Sequence, residues 1–339
     1  AKPDGTPPNN WLSVFGGAAW SWEPRRRQYY LHHFLPSQPS LDLRHPEVTE
    51  ALVAAARFWL ARGVDGFRLD AVDFLLHDMG LRDNPPRVPA GGLAPAKPFG
   101  LQQHHFDMMQ PEMPGLIGRL RALADAHPGT VLLGEVSSQD GAYQRIERYT
   151  AGGGLHLAYT LRPMRAGDAA DALRRALGEI ADAGEGDGLC WAFSNHDVER
   201  AASRWAPPGA PSDPAFVRLL MALLLSLKGA LCVYQGEELG LGEAVLGLDQ
   251  LRDPFGIAYY PEFRGRDGSR TPIPWSRAAR HAGFTAGEPW LPVPDAHRDA
   301  SVDAQEADPG APLQAWRALI AWRKAHPALC RGDLTLLDL

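Results

Sequence analysis

Residues 63–72, Gly63-Val64-Asp65-Gly66-Phe67-Arg68-Leu69-Asp70-Ala71-Val72, constrain the fold more than any other part of the chain. A short apolar run bounded by glycine reads as a buried strand, and this one delivers an arginine and a carboxylate at its end. Two more apolar runs finish in the same way, Thr130-Val131-Leu132-Leu133-Gly134-Glu135 and Leu189-Cys190-Trp191-Ala192-Phe193-Ser194-Asn195-His196-Asp197. Other strand-length runs fall at 155–160 and 230–234, and helix-period segments lie near 47–62, 114–126, 139–149, 167–182, 213–228 and 312–325. That alternation predicts an α/β fold with a parallel sheet. Where parallel strands close into a barrel, a charge at a strand's C-terminal end reads as catalytic. Three acids so placed, with an arginine and a histidine beside them, suggest chemistry on a glycosidic bond.

The first long helix is expected to begin at His45-Pro46, with Pro46 in its first turn and Glu47 near its positive end, and to stop at Gly63. Its apolar positions Leu52, Val53, Ala56, Phe58, Trp59 and Leu60 are expected to cover the strand that follows.

With 339 residues, 45% of them hydrophobic, the chain can bury a large core as one big domain or two. The 34 basic and 40 acidic residues are spread along it and leave a net charge of −6, which gives no reason to expect nucleic acid or an anionic membrane as partner. A neutral sugar fits that balance. The apolar run Met221 to Leu227 falls far short of the roughly 18 residues of a membrane span. Cys190, Cys232 and Cys330 are odd in number and read as reduced and buried, which favours a reducing, cytoplasmic compartment. The chain opens at Ala1 in loop-like sequence, so any signal peptide would lie upstream of it. Proline and glycine concentrate at 1–10, 84–100, 207–214 and 261–292, which read as long surface loops.

Gly66-Phe67-Arg68-Leu69-Asp70-Ala71, Gly134-Glu135 and Phe193-Ser194-Asn195-His196-Asp197 resemble, in order, three signature segments of the α-amylase superfamily of retaining α-glycoside hydrolases and transglycosidases. Asn9-Asn10-Trp11, Leu81-Arg82-Asp83-Asn84-Pro85-Pro86, Asn195-His196-Asp197-Val198-Glu199-Arg200 and Gly265-Arg266-Asp267-Gly268-Ser269-Arg270-Thr271-Pro272 look like its bacterial α-glucosidase and oligo-1,6-glucosidase branch. The resemblance covers nearly the whole chain and implies a (β/α)8 TIM-type barrel. Five strands do not close such a barrel, and comparison with the family suggests that these are strands four to eight. Residues 1–45 then look like most of a small domain inserted after strand three, 46–328 like a partial catalytic barrel, and 329–339 like the start of a C-terminal β-domain, with its first strand at Leu334 to Leu339. On that reading the chain is an internal fragment. It lacks the family's segment bearing an aspartate and a histidine of the sugar-binding subsite.

Retaining hydrolysis needs one carboxylate as nucleophile and one carboxylic acid as proton donor, about 5–5.5 Å apart. The resemblance makes Asp70 the nucleophile and Glu135 the acid/base. Arg68 shares Asp70's face, because strand side chains repeat every two residues, and its guanidinium would orient that carboxylate. A structural salt bridge at a barrel rim is the blander reading of Arg68. Asp197 would hold two sugar hydroxyls and stabilise the charged transition state, with His196 donating to the same sugar. Phe15 and Phe34 match aromatics set against the first sugar, with core packing as the alternative. Arg266 matches an arginine that closes the innermost subsite, and Arg264 and Arg270 are close enough in sequence to take its place. Trp20, Trp22, Tyr29 and Tyr30 read as packing residues.

The pairs His32-His33 and His104-His105 lack the i, i+4 spacing of a zinc helix, and no metal or cofactor is implied. The loop 73–112 and the segment 235–290 are expected to wall the strand ends into a pocket for the non-reducing end of a short α-glucoside. Ala71 stands where relatives often carry valine or threonine, a position that correlates with preference for α-1,6 or α-1,4 bonds. Gln38-Pro39-Ser40-Leu41-Asp42 departs from the usual Gln-Pro-Asp-Leu-Asn. The implied activity is that of an exo-acting α-glucosidase. One alternative is glucosyl transfer by the same residues to a sugar or phenolic hydroxyl. Another is a catalytically silent barrel serving as an interaction subunit, but all three acids are present here and no membrane helix is visible.

Overall fold

The computed structural model describes residues 1–88, 97–138, 140–165, 168–184, 186–207 and 213–334. Parts of the loop runs 73–112, 84–100 and 207–214, and nearly all of the expected terminal strand 334–339, lie outside the described residues. A short hairpin comes first, β1 (Trp20–Glu23) antiparallel to β2 (Gln28–Leu31), followed by α1 (Pro46–Leu60) and β3 (Gly66–Leu69). Then come α2 (Met113–Asp125), β4 (Val131–Val136), α3 (Ala142–Thr150), β5 (Leu157–Thr160), α4 (Ala169–Ala183) and β6 (Cys190–Ala192). The short α5 (Ala201–Arg204), α6 (Pro214–Ser226) and β7 (Ala230–Cys232) follow. The last part is helical: α7 (Pro254–Tyr259), α8 (Asp295–Asp299), α9 (Val302–Glu306), α10 (Pro312–Ala325) and α11 (Ala328–Arg331).

The strands β3, β4 and β5 form one sheet in that order, and β6 and β7 form another; β3 runs parallel to β4, and β6 to β7. The five expected strands and six expected helices are therefore all present, with boundaries shifted by a few residues at most. The chain divides into two compact units, Ala1–Ser138 with Arg148–Ala158, and Gln139–Glu147 with Tyr159–Leu339.

In the first unit, α1 starts at Pro46 with Glu47 in its first turn. It ends where Gly63, at φ +87°, takes the left-handed conformation that releases the chain toward β3. The segments Asn9-Asn10-Trp11 and 81–86 lock together. Asn10 Nδ2 donates to the Asn84 carbonyl at 2.9 Å, the Asn84 amide donates to Asn10 Oδ1 at 2.8 Å, and the buried Trp11 indole donates to the Arg82 carbonyl at 2.9 Å. Gly66 is where β3 meets β4. Its φ is +150°, and a Cβ there would lie 2.0 Å from the Val131 carbonyl oxygen, a backbone atom that cannot step aside. Gly66→Ala is expected to cost about 2–4 kcal/mol, read as a lower urea midpoint; an unchanged midpoint would contradict this packing.

In the second unit, Asp213 caps α6 by accepting the Ala215 amide at 3.0 Å, with Pro214 in the first turn. The helices α6 and α10 pack on one another, and Leu239, Leu241, Ile273 and Leu313 form a buried cluster.

Two expectations need correcting. Phe58 and Trp59 are 47% and 53% exposed and do not cover β3. At 100° per residue the buried stripe of α1 runs through Thr49, Val53 and Leu60, and Phe58 and Trp59 fall off it, with the Arg62 guanidinium lying 3.4 Å over the Phe58 ring. None of the three cysteines is in a disulfide among the described residues, but only Cys190 is buried; Cys232 is half-buried, and Cys330 is exposed on α11, whose single turn has no buried residue.

Candidate active site

In the first unit, the register of β3 on β4 places two carboxylates side by side. Leu69 pairs with Gly134, and one step further along each strand stand Asp70 and Glu135. Arg68, two residues before Asp70 and on the same face, spans the pair. Its Nη1 donates to Asp70 Oδ1 and its Nη2 to Glu135 Oε2. The two acids differ in setting: the Asp70 side chain is 73% exposed and that of Glu135 only 4%. Glu135 Oε1 also accepts from the Ser137 hydroxyl at 3.0 Å, a partner that the motif alone did not single out. Phe15 and Phe34 meet edge to face, 5.6 Å between centroids, and Phe34 also packs against the cluster of Ala71, Phe74 and Met108. Both rings are half-buried, so packing and an open face coexist in each.

In the second unit, Asp197 follows β6, and its Oδ1 accepts from Arg266 Nη1 and from Arg270 Nη2, each at 2.9 Å. His196 Nε2 lies 3.4 Å from Asp197 Oδ2. Asn195 fixes the turn by accepting the Asp197 amide at 2.8 Å, and Arg270 Nε donates to the His196 carbonyl at 2.7 Å. Arg266 is held from behind by Asp253, whose side chain is fully buried and accepts from its Nη2 at 2.8 Å and its Nε at 2.9 Å. Burial works against the charge on Arg266, but Asp253 and Asp197 outweigh it and raise its pKa above the ordinary value. Burial likewise opposes the charge of Asp253, and the Arg266 bonds outweigh it and lower its pKa. Of the three nearby arginines, both Arg266 and Arg270 thus reach Asp197. Asp253 was missed in the sequence, where Asp253-Pro254 carries only the signal of a helix start.

Arg200 braces this group. Its Nη2 and the Tyr234 hydroxyl both donate to the Ser269 carbonyl, at 2.8 and 3.0 Å, and its amide donates to Glu243 at 2.9 Å. Glu243 and the nearby Glu237 are half-buried, and desolvation pushes each carboxyl up to about 7. Between 4.5 and about 7 the folded chain retains a proton on Glu237 that the unfolded chain has released, so stability falls as pH rises through that window. His297, lowered by burial from 6.5 to about 4, works in the opposite direction and offsets part of that loss below pH 6.5. Glu237→Gln should therefore raise the Tm at pH 8 by about 3 °C relative to the parent and change it little at pH 5. An equal shift at both values would contradict a proton retained on Glu237.

Among the described residues, no group of three or more His, Cys, Asp or Glu is arranged to hold a metal ion, and no helix is long and apolar enough to cross a membrane.

Residues 1–332 match the family model for the alpha amylase catalytic domain. The chain belongs to that family, whose catalytic domain is of the (β/α)8 barrel type. It is 46% identical to a probable alpha-glucosidase of Rhizobium meliloti (strain 1021), over all of this chain and 62% of that protein. To the oligo-1,6-glucosidase of Halalkalibacterium halodurans it is 30% identical, over 98% of this chain and 63% of the other. Among solved structures, it superposes on the alpha-glucosyl transfer enzyme XgtA with a TM-score of 0.90 at 49% identity, covering 97% of this chain and 61% of that one. The chain therefore spans about three-fifths of the length of the relatives it matches.

Proposed function

We propose that this chain carries the catalytic carboxylates of a retaining, exo-acting α-glucosidase that releases glucose from the non-reducing end of short α-glucosides. The observation that carries this reading is the Arg68 fork, which joins Asp70 to Glu135 at the ends of adjacent parallel strands. Neighbouring strands lie about 4.8 Å apart, a spacing suited to the roughly 5–5.5 Å that a retaining pair needs. In the first step the Asp70 carboxylate attacks the anomeric carbon while the bond to the leaving oxygen breaks and Glu135 gives that oxygen its proton. In the second, water attacks the glucosyl-Asp70 ester, Glu135 takes a proton from the water, and Asp70 leaves as carboxylate. In the second unit, Asp197 and His196 are assigned to sugar hydroxyls and Arg266 to closing the innermost subsite, a role for which Arg270 is also a candidate through its bond to Asp197.

The five parallel-type strands are proposed to be strands four to eight of the barrel. The unpaired outer edge of β3 in the described sheet and the exposed Phe58 and Trp59 of α1 support that placement. The test compares hydrolysis of p-nitrophenyl α-glucoside by this chain and by a version extended upstream by the family's first three barrel strands. Activity confined to the longer protein is expected; no release of p-nitrophenol by either would overturn the glucosidase reading.

The likeness to an alpha-glucosyl transfer enzyme favours a second reading, in which a sugar or phenolic hydroxyl replaces water in the second step. Product analysis at high acceptor concentration separates the two, and glucose as sole product would exclude transfer.

A further inference from the structure

We propose that Asp73 is a positioning residue that sets how Asp70 and Glu135 face one another, an inference that rests on the glycosidase reading above. Asp73 is a carboxylate with 0% exposure, in a single helical turn, Val72–Phe74, three residues after Asp70. Its Oδ2 accepts the backbone N–H of Ser138 at 2.9 Å, and Ser138 stands three residues after Glu135. Its Oδ1 accepts the hydroxyl of Tyr149, itself 2% exposed, at 3.3 Å, and its carbonyl accepts the Met109 amide at 2.7 Å. The turn that leaves one strand's acid is thereby tied to the turn that leaves the other's.

The backbone between Asp70 and Asp73 explains the need for a tie. Ala71 has φ 41° and ψ 51°, a left-handed conformation that a residue with a Cβ holds only when its surroundings impose it. The chain thus reverses immediately after Asp70. Its two side-chain oxygens receive donors from different elements, a main-chain amide and a phenol. An apolar residue of the same size would fill the space and orient neither.

The test is made with three variants of the upstream-extended protein described above. Asp73→Asn can keep both links, its oxygen accepting from Ser138 and its amide group donating to the Tyr149 oxygen. Asp73→Ala removes both, and Tyr149→Phe removes one. Two readouts are taken: the separation of the Asp70 and Glu135 carboxyl groups in crystal structures of the variants, and kcat and KM on p-nitrophenyl α-glucoside. For Asp73→Ala the separation should change by about 0.5 Å or more and kcat fall about 100-fold, with KM within about threefold. Asp73→Asn should recover kcat to within about fivefold of the parent, and Tyr149→Phe should lie between the two. An unchanged separation and kcat in Asp73→Ala, or equal losses in the Asn and Ala variants, would overturn the proposal. Should Asp73→Ala fail to fold, an unchanged separation in Tyr149→Phe does the same. A parent that cleaves no α-glucoside counts against the glycosidase reading, and the carboxyl separation still decides the role of Asp73.

Discussion

In the upstream-extended protein, Asp70→Asn is expected to lower kcat on p-nitrophenyl α-glucoside by about 10⁴-fold, equivalent to about 5.5 kcal/mol of transition-state stabilisation. A carboxamide of the same shape cannot form the ester intermediate, so the loss falls on the chemical step and leaves KM nearly unchanged. Folding should be spared. The Asp70 side chain is 73% exposed, and an ion pair in such a setting contributes about 0–1 kcal/mol. The decisive pair of measurements is kcat beside Tm: lost turnover at unchanged Tm is the expected outcome, and retained turnover would remove Asp70 from the nucleophile's role.

Glu135→Gln should divide substrates by their leaving groups. With an alkyl or sugar leaving group the departing oxygen needs a proton, and the loss is expected to be about 10³-fold. With p-nitrophenolate, which departs unaided, the first step should be spared and the second become limiting, since no base remains to activate water. Azide needs no base and should restore turnover, giving glucosyl azide of the substrate's own α configuration. A uniform loss across leaving groups, with no response to azide, would argue that Glu135 binds sugar and does not transfer protons. This variant should also cost more stability than the one at Asp70, because the Glu135 side chain is 4% exposed and shares Arg68 and Ser137 as partners.

The strands were legible because each is a short apolar run closed by glycine, a charge or a turn, and the helices because their apolar positions recur with helical period. The three acids could be read for the same reason: strand ends are where the pattern stops. Which apolar residues face inward was harder to see. Phe58 and Trp59 carry the composition of a core and lie off the buried stripe of α1, a matter of angle around the helix more than of hydrophobicity. Cys330 reads like its two companions until α11 proves to be a single exposed turn. The supporting groups were least legible of all. Asp73 meets Tyr149, and Asp253 meets Arg266, only after the chain has folded back across many intervening residues, and neither acid has a neighbour in sequence that marks it. A buried aspartate looks the same as a surface one until its donors are found.

The Arg68 fork also bears on where charge sits during the reaction. On the proposed glucosidase reading, Asp70 loses its negative charge as the ester forms and Glu135 gains one as it gives up its proton, so the anion that faces Arg68 changes place within one step. Under that proposal one cation serves both halves of the cycle, handed from one acid to the other and back, like a counterweight that never leaves the beam.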